Sequence, residues 1–142
     1  MELKECWDKG HIKKTTPNKE LIRSLIEMSG LNELTVKTAV INDKTVSSYF
    51  KLAYDSLREI LEGICILHGY KVNNHICLGE LVETLVEGFD YAEFDRLRYA
   101  RNSISYYGEK LEYEQGTELI KKALKLKDKM LKVLINELSQ MS

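Results

Sequence analysis

The segment RLRYARNSISYYG, Arg96–Gly108, gathers three arginines, one asparagine, two serines and three tyrosines. Arginine presents a planar fork of N–H donors matched to phosphate and carboxylate, and tyrosine presents a ring on which a base can stack. The spacing predicts a helix, on which Phe94, Leu97, Arg101, Ile104 and Gly108 follow steps of three and four and share one face. Phe94, Leu97 and Ile104 are core residue types, so Arg101 stands within or beside a buried stripe. Asp95, Arg98, Asn102 and Tyr106 form a second row, which meets the first at Arg101 and Asn102. Arg98, Arg101, Asn102, Tyr106 and Tyr107 are therefore the candidate ligand-binding residues. A guanidinium in such a place needs a partner or an opening to solvent, because an unpaired buried charge is costly. The competing reading is an internal network. In it Arg101 pairs with Asp55, Glu59 or Glu62 of the preceding long helix and specifies how the helices pair.

Other chemistry is sparser. His68 and His75 flank the turn HGYKVNNH. No cysteine or carboxylate joins them at ligand spacing, so no metal is expected there and a capping or hydrogen-bonding role is the simpler one. His75 is the histidine that a bundle could bring near Arg101; these two are the catalytic candidates if the protein cleaves anything. Asp55 and Glu59 are four apart on the long helix. They read as a solvated ridge in which Asp55 pairs with Arg58, or as supporting groups that orient Arg101. Ser103 and Ser105 lack a Ser-His-Asp setting and the glycines of a nucleophile elbow. Neither a Walker A loop nor GxGxxG is present, so no cofactor is expected.

The elements that must position these groups read as helices throughout. Pro17, the only proline, predicts a helix start with Thr16 as N-cap; Leu21, Ile22, Leu25, Ile26 and Met28 carry it to a stop at Gly30. A short amphipathic helix with Leu34, Val36, Val40 and Ile41 follows. Asp43 opens a long helix whose stripe is Val46, Phe50, Ala53, Leu57, Ile60, Leu61, Ile64 and Leu67, ended by Gly69. KVNNH is a turn. The next helix carries Ile76, Leu78, Leu81, Val82, Leu85 and Val86 and stops at Gly88. Asp90 caps the helix carrying Arg101, which stops at Gly108, and the last helix spans about Gln115 to Leu138. Period-two alternation is absent and the gaps are short. The expected fold is all-α: an up-and-down antiparallel bundle of about five helices with no strands. Residues 1–15 are the least regular piece, although Leu3 and Trp7, four apart, allow a short docking helix.

A chain of 142 residues predicts one domain, 1–142, with an ordinary core. Net charge is −1, so the molecule as a whole is not a polycation. Glu80, Glu83, Glu87, Asp90, Glu93 and Asp95 form an acidic run; Lys121, Lys122, Lys125, Lys127, Lys129 and Lys132 form a basic one. Both read as solvated helix faces, or the basic run as a surface for RNA or an acidic partner. Cys6, Cys65 and Cys77 are odd in number and without a CxxC spacing, so neither a disulfide framework nor a zinc site is expected, and Cys65 reads as a buried thiol. The N-terminus has no apolar leader and no stretch approaches a membrane span; a cytoplasmic protein without membrane contact is the expectation.

RNSISYYG resembles the motif region of the HEPN superfamily, helical proteins marked by Arg-Asn-x-x-x-His on a late bundle helix. YFKLAYDSLREILEGICILHGYKVNNHICLGELV resembles the long helix and histidine-bearing turn that precede it in that family, so the resemblance covers about residues 43–138. By resemblance Arg101 and Asn102 match the motif pair, and Tyr106 stands where the histidine belongs. In active members the arginine and histidine of two subunits form a metal-independent ribonuclease site. Tyrosine, with an unperturbed pKa near 10, is a poor base at neutral pH. The resemblance therefore implies a homodimeric binding module for nucleotide, RNA or a protein partner, with cleavage degenerate. The YYG form further implies a minimal nucleotidyltransferase as partner. The alternatives are a toxin-like metal-independent ribonuclease and a purely structural interaction bundle.

Overall fold

The computed structural model describes residues 1–141, the side chains of Tyr106 and Tyr107 excepted. Its centre is the helix with the longest apolar stripe. Phe50, Ala53, Tyr54, Leu57, Ile60, Leu61 and Ile64 on this helix are fully buried. Each such large side chain contributes roughly 1.5–3 kcal/mol relative to exposure. In chain order the elements are α1 (Leu3–Asp8), β1 (Ile12–Lys14), α2 (Lys19–Lys37), α3 (Val46–Leu67), β2 (Tyr70–Val72), α4 (His75–Leu85), α5 (Tyr91–Tyr107) and α6 (Tyr113–Ser139). Helices α2 and α6 pack along α3, while α4 and α5 pack on each other and on α3. The fold is an all-α bundle of five long helices, with α1 as the short docking helix at its edge.

Several boundaries differ from the sequence pattern. α2 runs straight through Gly30, so the expected stop and the separate helix after it do not form. Ile22, Ser29 and Val36, seven apart, bury one line against α3, and the Ser29 hydroxyl donates to the Ser56 carbonyl at 2.6 Å. That packing outweighs the cost of about 1 kcal/mol for a mid-helix glycine. Leu21, Met28, Leu34 and Val40, which the spacing places on apolar faces, are exposed. The α2 N-cap is Asn18, whose Oδ1 accepts from Leu21 N at 3.1 Å, in place of Thr16. For α3 the cap is Thr45 in place of Asp43. Asp90 and Gly108 bound α5 as expected: Asp90 Oδ1 accepts from Glu93 N, and Gly108 takes a left-handed φ of 65°.

Two expectations are overturned. The chain does contain strands: Ile12–Lys14 and Tyr70–Val72 form an antiparallel pair with Ile12 opposite Val72 and Lys14 opposite Tyr70. Three-residue strands carry too little alternation to show as a pattern. The cysteines do pair: Cys6 of α1 and Cys77 of α4 are disulfide-bonded, Cα to Cα 5.7 Å, across 71 residues of sequence. Both are fully buried. Cys65 is the buried free thiol that the sequence predicts, its pKa pushed up to about 12 by burial. Among the described residues no helix is long and apolar enough to cross a membrane.

Candidate functional site

The turn between β2 and α4 places a polar cleft beside α5. Asn73, Asn74, His75 and Ile76 line one wall; Arg98, Arg101 and Asn102 line the other, around a volume of about 270 Å³. Asn74 caps α4, its Oδ1 accepting from Cys77 N at 3.1 Å. The first-turn N–H groups of α4, at His75 and Ile76, have no partner within their own helix, and the positive end of the helix dipole lies with them. Oriented N–H groups at a helix start favour anions. The cleft therefore combines a helix N-terminus with two guanidiniums.

Residues 1–15 hold the turn in place. β1 pairs with β2. Beyond the ladder, Asn73 N donates to the His11 carbonyl at 3.0 Å, and Asn73 Oδ1 shares a 3.1 Å hydrogen bond with His11 Nδ1. Cys77, two residues past His75, is tied to α1 by the disulfide. On the opposite wall, Gly79 lets the Phe94 ring lie against α4: a Cβ there would meet the ring at 2.8 Å. This close approach fixes the start of α5, and thereby Arg98 and Arg101, against the α4 helix.

The two arginines differ. Arg98 is satisfied on one side, its Nε and Nη2 donating to Asp95 Oδ1 at 3.0 and 2.8 Å. Arg101 makes no hydrogen bond or ion pair with any described residue, and its Nε is buried without a partner. Its guanidinium carbon lies 5.9 Å from the centre of the Tyr54 ring, a cation–π distance. The carboxylates proposed to neutralise it are engaged elsewhere. Glu62 accepts from Arg58 at 2.9 Å, Asp55 lies 3.6 Å from Arg58, and Glu59 accepts from Asn32 at 2.8 Å. Asp55 and Glu62 are thus engaged by Arg58 and Glu59 by Asn32, and none of the three holds Arg101.

His75 stacks on Tyr54, ring centres 5.6 Å apart, and its Nδ1 shares a 3.0 Å hydrogen bond with the Tyr54 hydroxyl. Burial, then the neighbouring Arg101 and Arg58 charges, pushes the His75 pKa down to about 4. Burial pushes the Tyr54 phenol well above its ordinary value. Both are neutral at neutral pH, so the guanidiniums are the charges in the cleft. When the Tyr54 hydroxyl donates to Nδ1, the imidazole proton is on Nε2, a further donor.

The sequence brings Arg98, Arg101, Asn102 and His75 to mind, and the structure places all four on one cleft. Tyr106 and Tyr107, named with them, have side chains outside the described residues. Asn73, Asn74 and Ile76 were missed, although NNH before an apolar run is a helix-start signature. His68 is remote from the cleft and hydrogen-bonds Glu137 at 2.8 Å. Among the described residues no three His, Cys, Asp or Glu side chains gather as a metal site. No family model, curated protein or solved structure matches the chain.

Proposed function

We propose that the cleft between the α4 N-terminus and α5 binds the phosphate of a nucleotide or of RNA, as the site of a HEPN-like binding module. The observation that carries this reading is Arg101: a guanidinium set among packed rings, without a carboxylate among the described residues, facing a cleft that also holds helix-terminal N–H groups. An anion entering there receives the free edge of Arg101, the amides of Asn74 and Asn102, and the first N–H groups of α4. Arg101 would then be neutralised by its ligand. Pairing with a second copy and with a minimal nucleotidyltransferase belongs to the same reading. Calorimetric titration with adenosine monophosphate tests the site: wild type binds, and Arg101→Gln loses about 10- to 100-fold, the worth of a charge-assisted hydrogen bond. Equal binding by the two proteins would remove the assignment.

One observation favours a second reading. His75 lines the same cleft as Arg101, so the chain carries a histidine beside the arginine although Tyr106 holds the expected position. In the tautomer whose Nδ1–H donates to the Tyr54 hydroxyl, Nε2 is free to accept a proton from a ribose 2′-hydroxyl while Arg101 stabilises the charge on phosphorus. A pKa of about 4 makes it a weak base until a bound phosphate raises it. Incubation of RNA with the protein in EDTA separates the readings. Cleavage abolished in both Arg101→Gln and His75→Gln supports the ribonuclease; intact RNA supports the binding module.

A further inference from the structure

Helix α6 carries a second cationic surface that the cleft does not use. Lys121, Lys125, Lys129 and Lys132 follow steps of four, four and three, all exposed, on one side of the helix. They extend about 16 Å along its axis. None of the four has an ion pair among the described residues. Like charges at these spacings repel and destabilise the helix that bears them. Stability of α6 alone does not account for the row.

Lys121, Lys125 and Lys129 form a ridge between two grooves that differ in acidic lining. Toward α5 the groove, about 420 Å³, is walled by Asp90, Glu93 and Glu118. Toward the C-terminal end of α2 the groove, about 530 Å³, is walled by Lys37 and Lys132, and its one carboxylate is Asp128. Asp128 is taken, since the buried Lys127 ammonium donates to it at 2.6 Å. On the α5 side three carboxylates offset the lysines, Lys122 among them; on the α2 side the one carboxylate is already engaged, so a polyanion is favoured along the α2 side.

We propose that the groove between α6 and the C-terminal end of α2 is a track for a nucleic-acid backbone, separate from the cleft at Arg101. The two share no lining residue: the track is built by the end of α2 and by α6, the cleft by the turn before α4 and by α5. The lining favours phosphates over an acidic protein. Protein interfaces are built on apolar and aromatic anchors and are poor in lysine. This groove has Leu124 as its one apolar residue and no aromatic one. Phosphate contacts need only placed cations and are blind to sequence. The row therefore positions a strand without reading its bases.

The test measures anisotropy of a labelled single-stranded RNA and a labelled DNA duplex, each of mixed sequence, over a salt series. Four lysines predict a slope of log affinity against log salt of about −3 for the single strand and about −4 for the duplex. Lys125→Glu with Lys129→Glu lowers affinity at least about tenfold and flattens the slope by about 2, whatever the sequence. The same pair leaves adenosine monophosphate binding at the cleft unchanged, and Arg101→Gln, which weakens the nucleotide, leaves the lysine-dependent part of the oligonucleotide salt slope in place, so each site fails independently of the other. If the charge-reversed pair melts early, Lys125→Gln with Lys129→Gln supplies the comparison. Four outcomes overturn the proposal: no oligonucleotide binding, equal binding by the lysine variants, loss through Arg101→Gln alone, or a polyglutamate peptide binding as tightly as RNA.

Discussion

Two cations are set into the packed faces of this bundle, and their surroundings are opposite. Lys127 on α6 is 2 % exposed and is held by Glu33 at 2.8 Å and Asp128 at 2.6 Å. Burial works against its charge, but those carboxylates outweigh it and hold its pKa above the ordinary lysine value. Arg101 on α5 has an aromatic ring beneath it, no carboxylate among the described residues, and a cleft in front. The first cation is completed by the fold. The second has no such partner among the described residues. A charge that the chain leaves uncompensated next to a cavity is therefore better evidence of a site than a charge that is merely buried.

The contrast is broken or sharpened by substitution. Lys127→Ala leaves Glu33 only its 3.3 Å pair with the exposed Lys37 and costs about 3 kcal/mol of stability, read by denaturant unfolding. A loss below 1 kcal/mol would make the two cations alike. Cleaving the Cys6–Cys77 bond by Cys6→Ser with Cys77→Ser costs about 2–4 kcal/mol in the same assay. It also weakens the cleft, because the turn at Asn73–His75 is anchored through that staple. Arg101→Leu has the inverse profile to Lys127→Ala: stability changes by less than about 1 kcal/mol, since no ion pair breaks, while affinity for adenosine monophosphate falls about 10- to 100-fold. Tyr54→Phe removes the hydroxyl under His75 and costs about 1 kcal/mol of stability.

The smallest effect is on pH dependence. The unfolded His75 takes up a proton near 6.5, whereas the folded one resists until about 4. Its contribution to stability is present above 6.5 and is lost as pH falls toward 4. Thermal melts across that interval should show a slope that is absent in His75→Gln. A ligand phosphate opposes the depression, so its binding takes up a proton and strengthens as pH falls through the same interval. Titration in buffers of different ionisation enthalpy reads that proton directly.

Local pattern made the helices legible. The stripe from Phe50 to Leu67, the cap at Asp90 and the stop at Gly108 each follow from residues within a turn or two. The same locality explains the misses. Gly30 looks like a stop until the line Ile22, Ser29, Val36 finds α3 to pack on. Strands of three residues, joined across the whole of α2 and α3, carry no period of their own. Cys6 and Cys77 have no spacing signature, because their pairing depends on where α1 docks. For the site, the arginine row on α5 was legible as a face. That the carboxylates of α3 are occupied by Arg58 and Asn32 was not, since partner choice between helices is decided by packing. The basic run divided for the same reason: Lys127 turned inward to Glu33 and its neighbours remained outside.

The Cys6–Cys77 bond also alters what the unfolded chain is. It closes residues 6–77 into a covalent ring that encloses α2 and α3, while α5 and α6 remain an open tail. Denatured without reductant, the molecule is a lasso, smaller in hydrodynamic radius than the linear chain, and it should run ahead of its reduced form on a denaturing gel. On refolding, the central helix and its neighbour begin already tethered, and the segment bearing both cationic surfaces is added to a pre-tied half.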